Sequence, residues 1–518
     1  MTHRLHLYII IVIALLTRLL GLSEQVLLDD EYHAIHALQT KSYGAIYSSF
    51  GAFDYSIPLT LFWKFMHSWG LLDEWMMRWP FALAGLYLVY WVYHETNRYA
   101  PDYRYAVALV MALAPFLVFY SRTARPYMLT LVLSLVALKN VYSWGKKDLN
   151  WPVAYVLAGS MALWLHPVVA PTLAMAALWA FALRVRLEGL QAAVQASWLI
   201  ALTMLALCAL TLAPPMLLNP GAIGTKTGIG FPSWDTLIGS GFLLTGSSQL
   251  LISVAIFIAF IVGLKVLWSL FPAARNFVLA VLLTQILAAL LARPDWLEHP
   301  QVFLRYNMLL VVVVVVAIGV GVGVVAHAGK IVYFLPLIFF PWLMTSPLFG
   351  YATSHYPTAT WWQWDLREHY NPVRIGQEAV HPPQWLLENK EAIVAVAPWK
   401  FESFLSPMAQ LHKYRNTALW PAQIGGYCLP ATPQRYGEMA SDGFPLRNAV
   451  HLANAESLSR RNISHIMLIK HFKFEGKNFI PEAGDCFLKL NAQHGEPVYQ
   501  DERYAIFALP STKAPTLR

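Results

Sequence analysis

Apolar runs of about 18–22 residues recur through the first two-thirds of this chain. A helix of that length, rising about 1.5 Å per residue, crosses a hydrocarbon core of roughly 30 Å. A segment inside lipid must satisfy its own backbone hydrogen bonds, so continuous runs of this kind fold as helices. Eleven qualify, near 5–22, 76–93, 104–120, 126–143, 152–166, 168–184, 196–216, 249–270, 277–292, 307–326 and 331–348. The expected fold class is an α-helical polytopic membrane protein of about 11 transmembrane helices. Composition agrees: 57% of the 518 residues are hydrophobic and 13% charged, too apolar for a soluble globular chain. The first run lacks a small-residue cleavage pattern and leads into Asp29 and Asp30, which reads as an uncleaved signal anchor.

Charge sets the orientation. With the N-terminus in the cytoplasm, the inner connections carry Arg98, Arg104, Lys146, Lys147, Arg184, Arg186, Arg275 and Lys330, as the positive-inside rule requires. Eleven spans then place the chain from about residue 350 outside the cytoplasmic (inner) membrane, in the periplasm if the cell is Gram-negative. The net charge of +8 is accounted for by these loops and by anionic lipid nearby. No basic-aromatic module marks a nucleic-acid partner.

Two domains are expected: a membrane domain over 1–349 and an extracytoplasmic α/β domain over 350–518. In the second, charge returns, and strand-like runs appear at 391–397, 465–470 and 504–509 behind a helix-like stretch at 382–390. "WWQWD" (361–365) suits the headgroup layer, and "NIS" (462–464) fits a glycosylation acceptor pattern. Cys208 falls in a span as a small core residue. Cys428 and Cys486 lie in the outer part, where a disulfide between them is possible. The connection 219–249 holds seven glycines and little helical pattern, and reads as a lid or an irregular loop. "IGVGVGVV" (318–325) lies inside a span with no preceding strand. Its glycines serve close helix packing rather than nucleotide binding.

The outer face carries unusual charge. "LLDDEYHAIH" (27–36) follows the first span, and Asp54 stands in the same connection. Acids in a first helical turn can simply cap it. Yet Arg122, Arg125, Arg293 and Arg305 lie on the same side, and topology does not explain them. Carboxylates beside fixed cations suit transfer of a group from a phosphate leaving group. The acid takes a proton from an attacking hydroxyl, and planar guanidinium donors hold the departing phosphate. Arg293 carries less weight, because Asp295 can pair with it.

These motifs, in this order and on one side, resemble those of the C-type (GT-C) integral-membrane glycosyltransferases. The similarity is greatest to the branch with the protein O-mannosyltransferases and the aminoarabinose transferases. "DDEYHAI" (29–35) resembles the acidic motif of the first outer loop, with Asp30 and Glu31 as the Asp-Glu pair. "DYSIPLTLFW" (54–63) is similar to the later acid and its proline-containing amphipathic stretch, although one proline stands where the family often has two. "SRTARPYMLTLVL" (121–133) is similar to an Arg-x-x-Arg-Pro-Tyr pattern, and "HP" (166–167) and "FLRYNM" (303–308) fall at familiar places. The resemblance covers roughly residues 1–350 and implies a polyprenyl-phosphate sugar donor used on the outer face of the membrane. The acceptor would be an envelope glycolipid, lipopolysaccharide or protein. A lipid carrier also answers a physical need, since nucleotide sugars are not expected outside the cytoplasm.

On this reading Asp30 is the general base of an inverting transfer, and Glu31 and Asp54 position the acceptor or tune Asp30. Arg122 and Arg125, three apart and so aimed alike by one helical turn, take the donor phosphate together with Arg305. His33, Tyr127, His166 and Tyr306 are candidate substrate contacts. His33 can also orient a carboxylate or share a metal with it, but related enzymes differ over metal use and no cofactor is assigned. The competing readings are a transporter or flippase of lipid-linked glycans, which should show inverted repeats, broken helices and charge near mid-membrane, and a non-catalytic envelope scaffold. The sequence shows charge at one face and no evident broken helix.

Overall fold

A computed structural model describes residues 2–20, 22, 31, 34–35, 37–38, 41–51, 55–221, 228, 230–245, 250–294, 297–327, 384–389, 392, 394–397, 464–470, 473–474, 477–478, 483–502 and 504–509. The expected span 331–348, the "WWQWD" and "NIS" motifs and Cys428 lie outside these residues, as does the side chain of Cys486. The chain divides into two units, Met1–Ser23, Ala37–Leu71 and Trp75–Ile375 in the first, and Glu24–His36, Leu72–Glu74 and Gly376–Arg518 in the second.

The first unit is helical. Its helices are α1 (Thr2–Leu19), α2 (Tyr43–Tyr47), α3 (Ile57–Ser68), α4 (Glu74–Tyr99), α5 (Arg104–Leu113), α6 (Pro115–Ser121), α7 (Tyr127–Gly145), α8 (Val153–Leu165), α9 (Ala170–Glu188) and α10 (Leu190–Leu218). They continue through α11 (Trp234–Thr245), α12 (Leu250–Leu270), α13 (Pro272–Ala292), α14 (Pro300–Tyr306) and α15 (Met308–His327). Among the described residues six helices are long and apolar enough to cross a membrane, or seven if the bent pair α5 and α6 forms one span. Lipid contact accounts for α10, which is apolar all round and yet buries only Ala193, Ile200 and Pro215 among its side chains.

That number is smaller than the sequence suggests, for identifiable reasons. The expected span 104–120 breaks at Ala114 and Pro115 and bends by 57°. Helix α4 has the length but carries Glu74, Arg78, His94, Glu95 and Arg98. Helices α1 and α8 are short as apolar segments, at Leu5–Leu19 and Val153–Leu165. The break between α5 and α6 also corrects the expectation of unbroken helices.

Small residues set the packing of α15. Ala317 and Gly321 face α12: a Cβ on Gly321 would sit 1.8 Å from the Ala259 carbonyl oxygen, and one on Gly263 1.7 Å from that of Ala317. Gly319 and Gly323 face the other way, toward Val107 and Tyr103. Two stripes with i, i+4 spacing thus seat one helix between two neighbours at backbone contact. The expectation that these glycines serve packing matches this geometry.

Four buried arginines cap chain ends inside this unit. Pro115 has no N–H, so the Met111 carbonyl four residues back loses its helical donor. Arg18 fills the gap, donating to the oxygens of Met111 at 3.3 Å and Ala112 at 2.9 Å. Gly85 leaves room, since a Cβ there would lie 2.8 Å from Arg18 Nε. Arg122 Nη1 donates to the Leu20 and Thr17 oxygens at the end of α1, at 2.8 and 3.3 Å. Arg78 Nη1 reaches the Leu22 oxygen at 3.2 Å, and Arg184 donates to those of Trp144 and Leu149 at 2.8 and 3.1 Å. A cation at a helix C-terminus satisfies carbonyls that lipid cannot.

The second unit contains α16 (Gln384–Glu388), α17 (Ala483–His494) and strands β1 (Val394–Ala397), β2 (His465–Ile469), β3 (Lys473–Phe474), β4 (Lys477–Asn478), β5 (Tyr499–Gln500) and β6 (Tyr504–Ala508). One sheet has the order β1-β2-β6-β5, with β1 parallel to β2 and the other pairs antiparallel. Ile466, Met467, Leu468, Ala505, Ile506 and Phe507 are fully buried, and Phe487 of α17 packs on Phe507 at 5.7 Å. The three apolar runs expected as strands become β1, β2 and β6.

Candidate functional site

Proline builds the candidate site by ending helices at one place. The chain turns through Arg122–Pro126 between α6 and α7. His166 precedes Pro167, is forced into an extended conformation (φ −153°, ψ 92°) and closes α8. Pro300 opens the short helix α14, which stops at Tyr306 before Asn307. The start of α7, the end of α8 and the junction of α14 with α15 therefore bring their terminal side chains together.

Five residues singled out in the sequence meet there: Arg125, Tyr127, His166, Arg305 and Tyr306. The His166 ring centroid lies 5.3 Å from that of Tyr127 and 5.4 Å from that of Tyr306, and the two tyrosines are 6.3 Å apart. The Arg125 guanidinium lies 6.0 Å from the Tyr127 ring centre, and that of Arg305 lies 5.4 Å from Tyr127 and 5.7 Å from Tyr306. Two cations thus flank one aromatic group in a partly buried setting, where a dianionic phosphate would meet paired donors and a sugar ring would meet flat apolar faces.

Between them lies a partly enclosed recess of about 30 Å³, lined by Tyr127, Thr130, Ser134, His166, Gln285, Arg305 and Tyr306 among others. Thr130, Ser134 and Gln285 were not anticipated. Their signal was present as hydroxyls spaced i, i+4 on the Tyr127 face of α7 and a lone amide inside α13, polar groups that are rare in spans.

Other expected residues are placed differently. Arg122 and Arg125 do not share a helical turn; they lie in the bend between α6 and α7. Arg122 is fully buried against the end of α1, and it is absent from the recess wall. Arg293 stands apart as the left-handed cap of α13, 4.6 Å from the Phe231 ring centre. Asp29, Asp30, His33 and Asp54 lie outside the described residues. Glu31 is helical and fully buried in the second unit. Ser56, two residues after Asp54, precedes α3 and donates to the Leu165 oxygen at 3.0 Å, next to His166. Among the described residues no three His, Cys, Asp or Glu side chains gather to hold a metal ion.

His299, in the connection before α14, is buried. Desolvation, and then the charge of Arg305, hold its pKa down to about 4, so it is neutral near pH 7.

No family model matches this chain, and neither does any curated protein sequence.

Proposed function

We propose that this protein transfers a sugar from a polyprenyl-phosphate donor to an envelope acceptor (a glycolipid, lipopolysaccharide or protein) at the outer face of the cytoplasmic membrane. The observation that carries the reading is the convergence of Arg125 and Arg305 on Tyr127, His166 and Tyr306 at one end of the helices, around a small recess that also holds Thr130, Ser134 and Gln285. Asp30 removes the proton from the acceptor hydroxyl. The resulting oxygen attacks the anomeric carbon from the face opposite the phosphate, and the carbon–oxygen bond to phosphate breaks. Its electron pair leaves with the polyprenyl phosphate, and the anomeric configuration inverts. Arg125 and Arg305 stabilise the charge that grows on the leaving phosphate. Glu31 and Asp54 position the acceptor or tune Asp30, and Arg122 holds the end of α1 against the bend that carries Arg125. The lipid tail lies along the apolar helices.

The test uses purified protein with a radiolabelled polyprenyl-phosphate sugar and membrane extract. Label should pass to an acceptor, and Asp30→Asn should abolish transfer while donor binding persists. Undiminished transfer by Asp30→Asn would remove the proposed base. The broken helix α5–α6 favours a second reading, a transporter of lipid-linked glycan. Label that crosses liposomes without forming a new bond would establish that one instead.

A further inference from the structure

The recess within the arginine-aromatic cluster poses a physical problem of its own. Thr130, Ser134 and Gln285 are 4%, 2% and 6% exposed, and each lines the recess. Thr130 Oγ1, Ser134 Oγ and Gln285 Oε1 are buried and make no hydrogen bond among the described residues. Ser134 is seven residues into α7 from Tyr127, and Gln285 is seven residues from the end of α13 at Ala292. Both are therefore about 10 Å below the helix ends. Three unsatisfied oxygens at that depth are costly, and in native proteins such groups mark a bound polar species. Size limits what that species is. A volume of about 30 Å³ admits one water-sized group and excludes a whole sugar ring.

Building on the donor reading above, we infer that this recess is a selectivity notch that receives one hydroxyl or hydroxymethyl arm of the donor sugar. Tyr127, His166 and Tyr306 line the same recess, so the rest of the ring stays outside it. The phosphate remains with Arg125 and Arg305. Two hydroxyls and an amide oxygen can each accept a hydrogen bond, and the hydroxyls can also donate, so the notch matches an alcohol. A sugar that lacks the arm would leave the three oxygens unsatisfied, which is how a polar pocket rejects a deoxy analogue.

Binding in lipid nanodiscs tests this with undecaprenol, undecaprenyl phosphate, and undecaprenyl phosphates bearing glucose, mannose or galactose, each beside its monodeoxy analogues. The wild-type protein should bind one intact sugar about tenfold more tightly than one of its deoxy analogues. Thr130→Val and Gln285→Leu should erase that ratio and leave affinity for bare undecaprenyl phosphate within about twofold, as a binding interaction confined to the sugar predicts. The bare phosphate also reports folding, and Ser134→Ala gives a gentler variant if the others fail to bind it. Equal affinity of the wild type for every intact and deoxy pair would overturn the inference, as would an unchanged ratio in the variants; the recess then holds only water. The donor reading fails separately, if undecaprenyl phosphate binds no better than undecaprenol or if Arg305→Ala leaves its affinity unchanged.

Discussion

Arginine does two different jobs in this protein, and burial separates them. Arg18, Arg78 and Arg122 are fully buried and donate hydrogen bonds to backbone oxygens at chain ends. Arg125 and Arg305 are partly exposed and stand over aromatic rings. Arg122→Leu should therefore lower stability by about 2–3 kcal/mol, the scale of a charged hydrogen bond lost from buried acceptors. Arg305→Ala should leave thermal unfolding nearly unchanged and weaken polyprenyl-phosphate binding about tenfold or more. Paired melting and binding curves check both, and the reverse pattern would exchange their roles. Five of the converging residues were legible in the sequence: Arg125 and Arg305 because the expected topology left them unexplained, and Tyr127, His166 and Tyr306 because they stand beside arginine or proline at the ends of apolar runs. It could not separate Arg122 from Arg125, because the separation depends on the bend at 122–126 and on where α1 ends. His299 adds a pH dependence. Its folded pKa is about 4, against about 6.5 in an unfolded chain. Between those values the unfolded chain binds a proton that the native chain does not. This contribution to stability is complete above about pH 6.5 and is lost as pH falls toward 4, up to about 3 kcal/mol. His299→Gln should flatten that part of a melting-temperature profile taken between pH 7.5 and 4.5; an unchanged slope would assign it to other groups.

Elements were legible where burial and hydropathy agree, and obscure where they oppose each other. Helix α11 is the clearest case. Its inner face is Thr236, Gly239, Ser240 and Leu243, while Trp234, Leu237 and Ile238 point outward. A soluble amphipathic helix has the opposite arrangement, so 219–249 read as irregular even though 234–245 is helical. Its inner polar groups bind the chain that enters α14 instead: Thr236 Oγ1 donates to the Glu298 oxygen and Ser240 Oγ to that of Pro300 at 3.4 Å. The α12–α15 pair was easier, since its glycines recur at fixed spacing. That contact also yields a sharp contrast. At Gly321 a side chain meets backbone that cannot move aside, so Gly321→Leu should cost about 3 kcal/mol or more, or prevent folding. At Gly241, on α11, a Cβ would meet no atom within 4 Å, and Gly241→Ala should raise stability by about 0.5–1 kcal/mol through helix propensity alone. Scanning fluorimetry on both variants decides this, and equal melting temperatures would mean that α12 and α15 are not held at backbone contact.

At the scale of the molecule, charge divides between the two ends of one set of helices. The start of α7, the end of α8 and the start of α9 carry Arg125, Tyr127 and His166. Their other ends carry Lys146, Lys147, Arg184 and Arg186, where Lys147 and Arg184 both pair with Glu188 at 3.2 and 3.1 Å. The 19 residues of α7 separate these ends by about 28 Å, close to a bilayer core. On the proposed reading, four basic residues against the two acids Glu188 and Asp148 put the second end in the cytoplasm and the arginine-aromatic cluster on the outer side. Single cysteines in a background lacking Cys208, Cys428 and Cys486 test this in intact cells. Gly221→Cys and Glu496→Cys, both at exposed positions, should react with a membrane-impermeant maleimide added outside, and Lys146→Cys only after permeabilisation. Exchange of Gly221 and Lys146 would turn the cluster toward the cytoplasm, where nucleotide sugars are at hand and the physical case for a lipid carrier disappears. Labelling of Glu496 together with Lys146 would leave the cluster outside and put the C-terminal sheet on the other side. The spans would then be even in number, and that domain could not meet an acceptor at the outer surface.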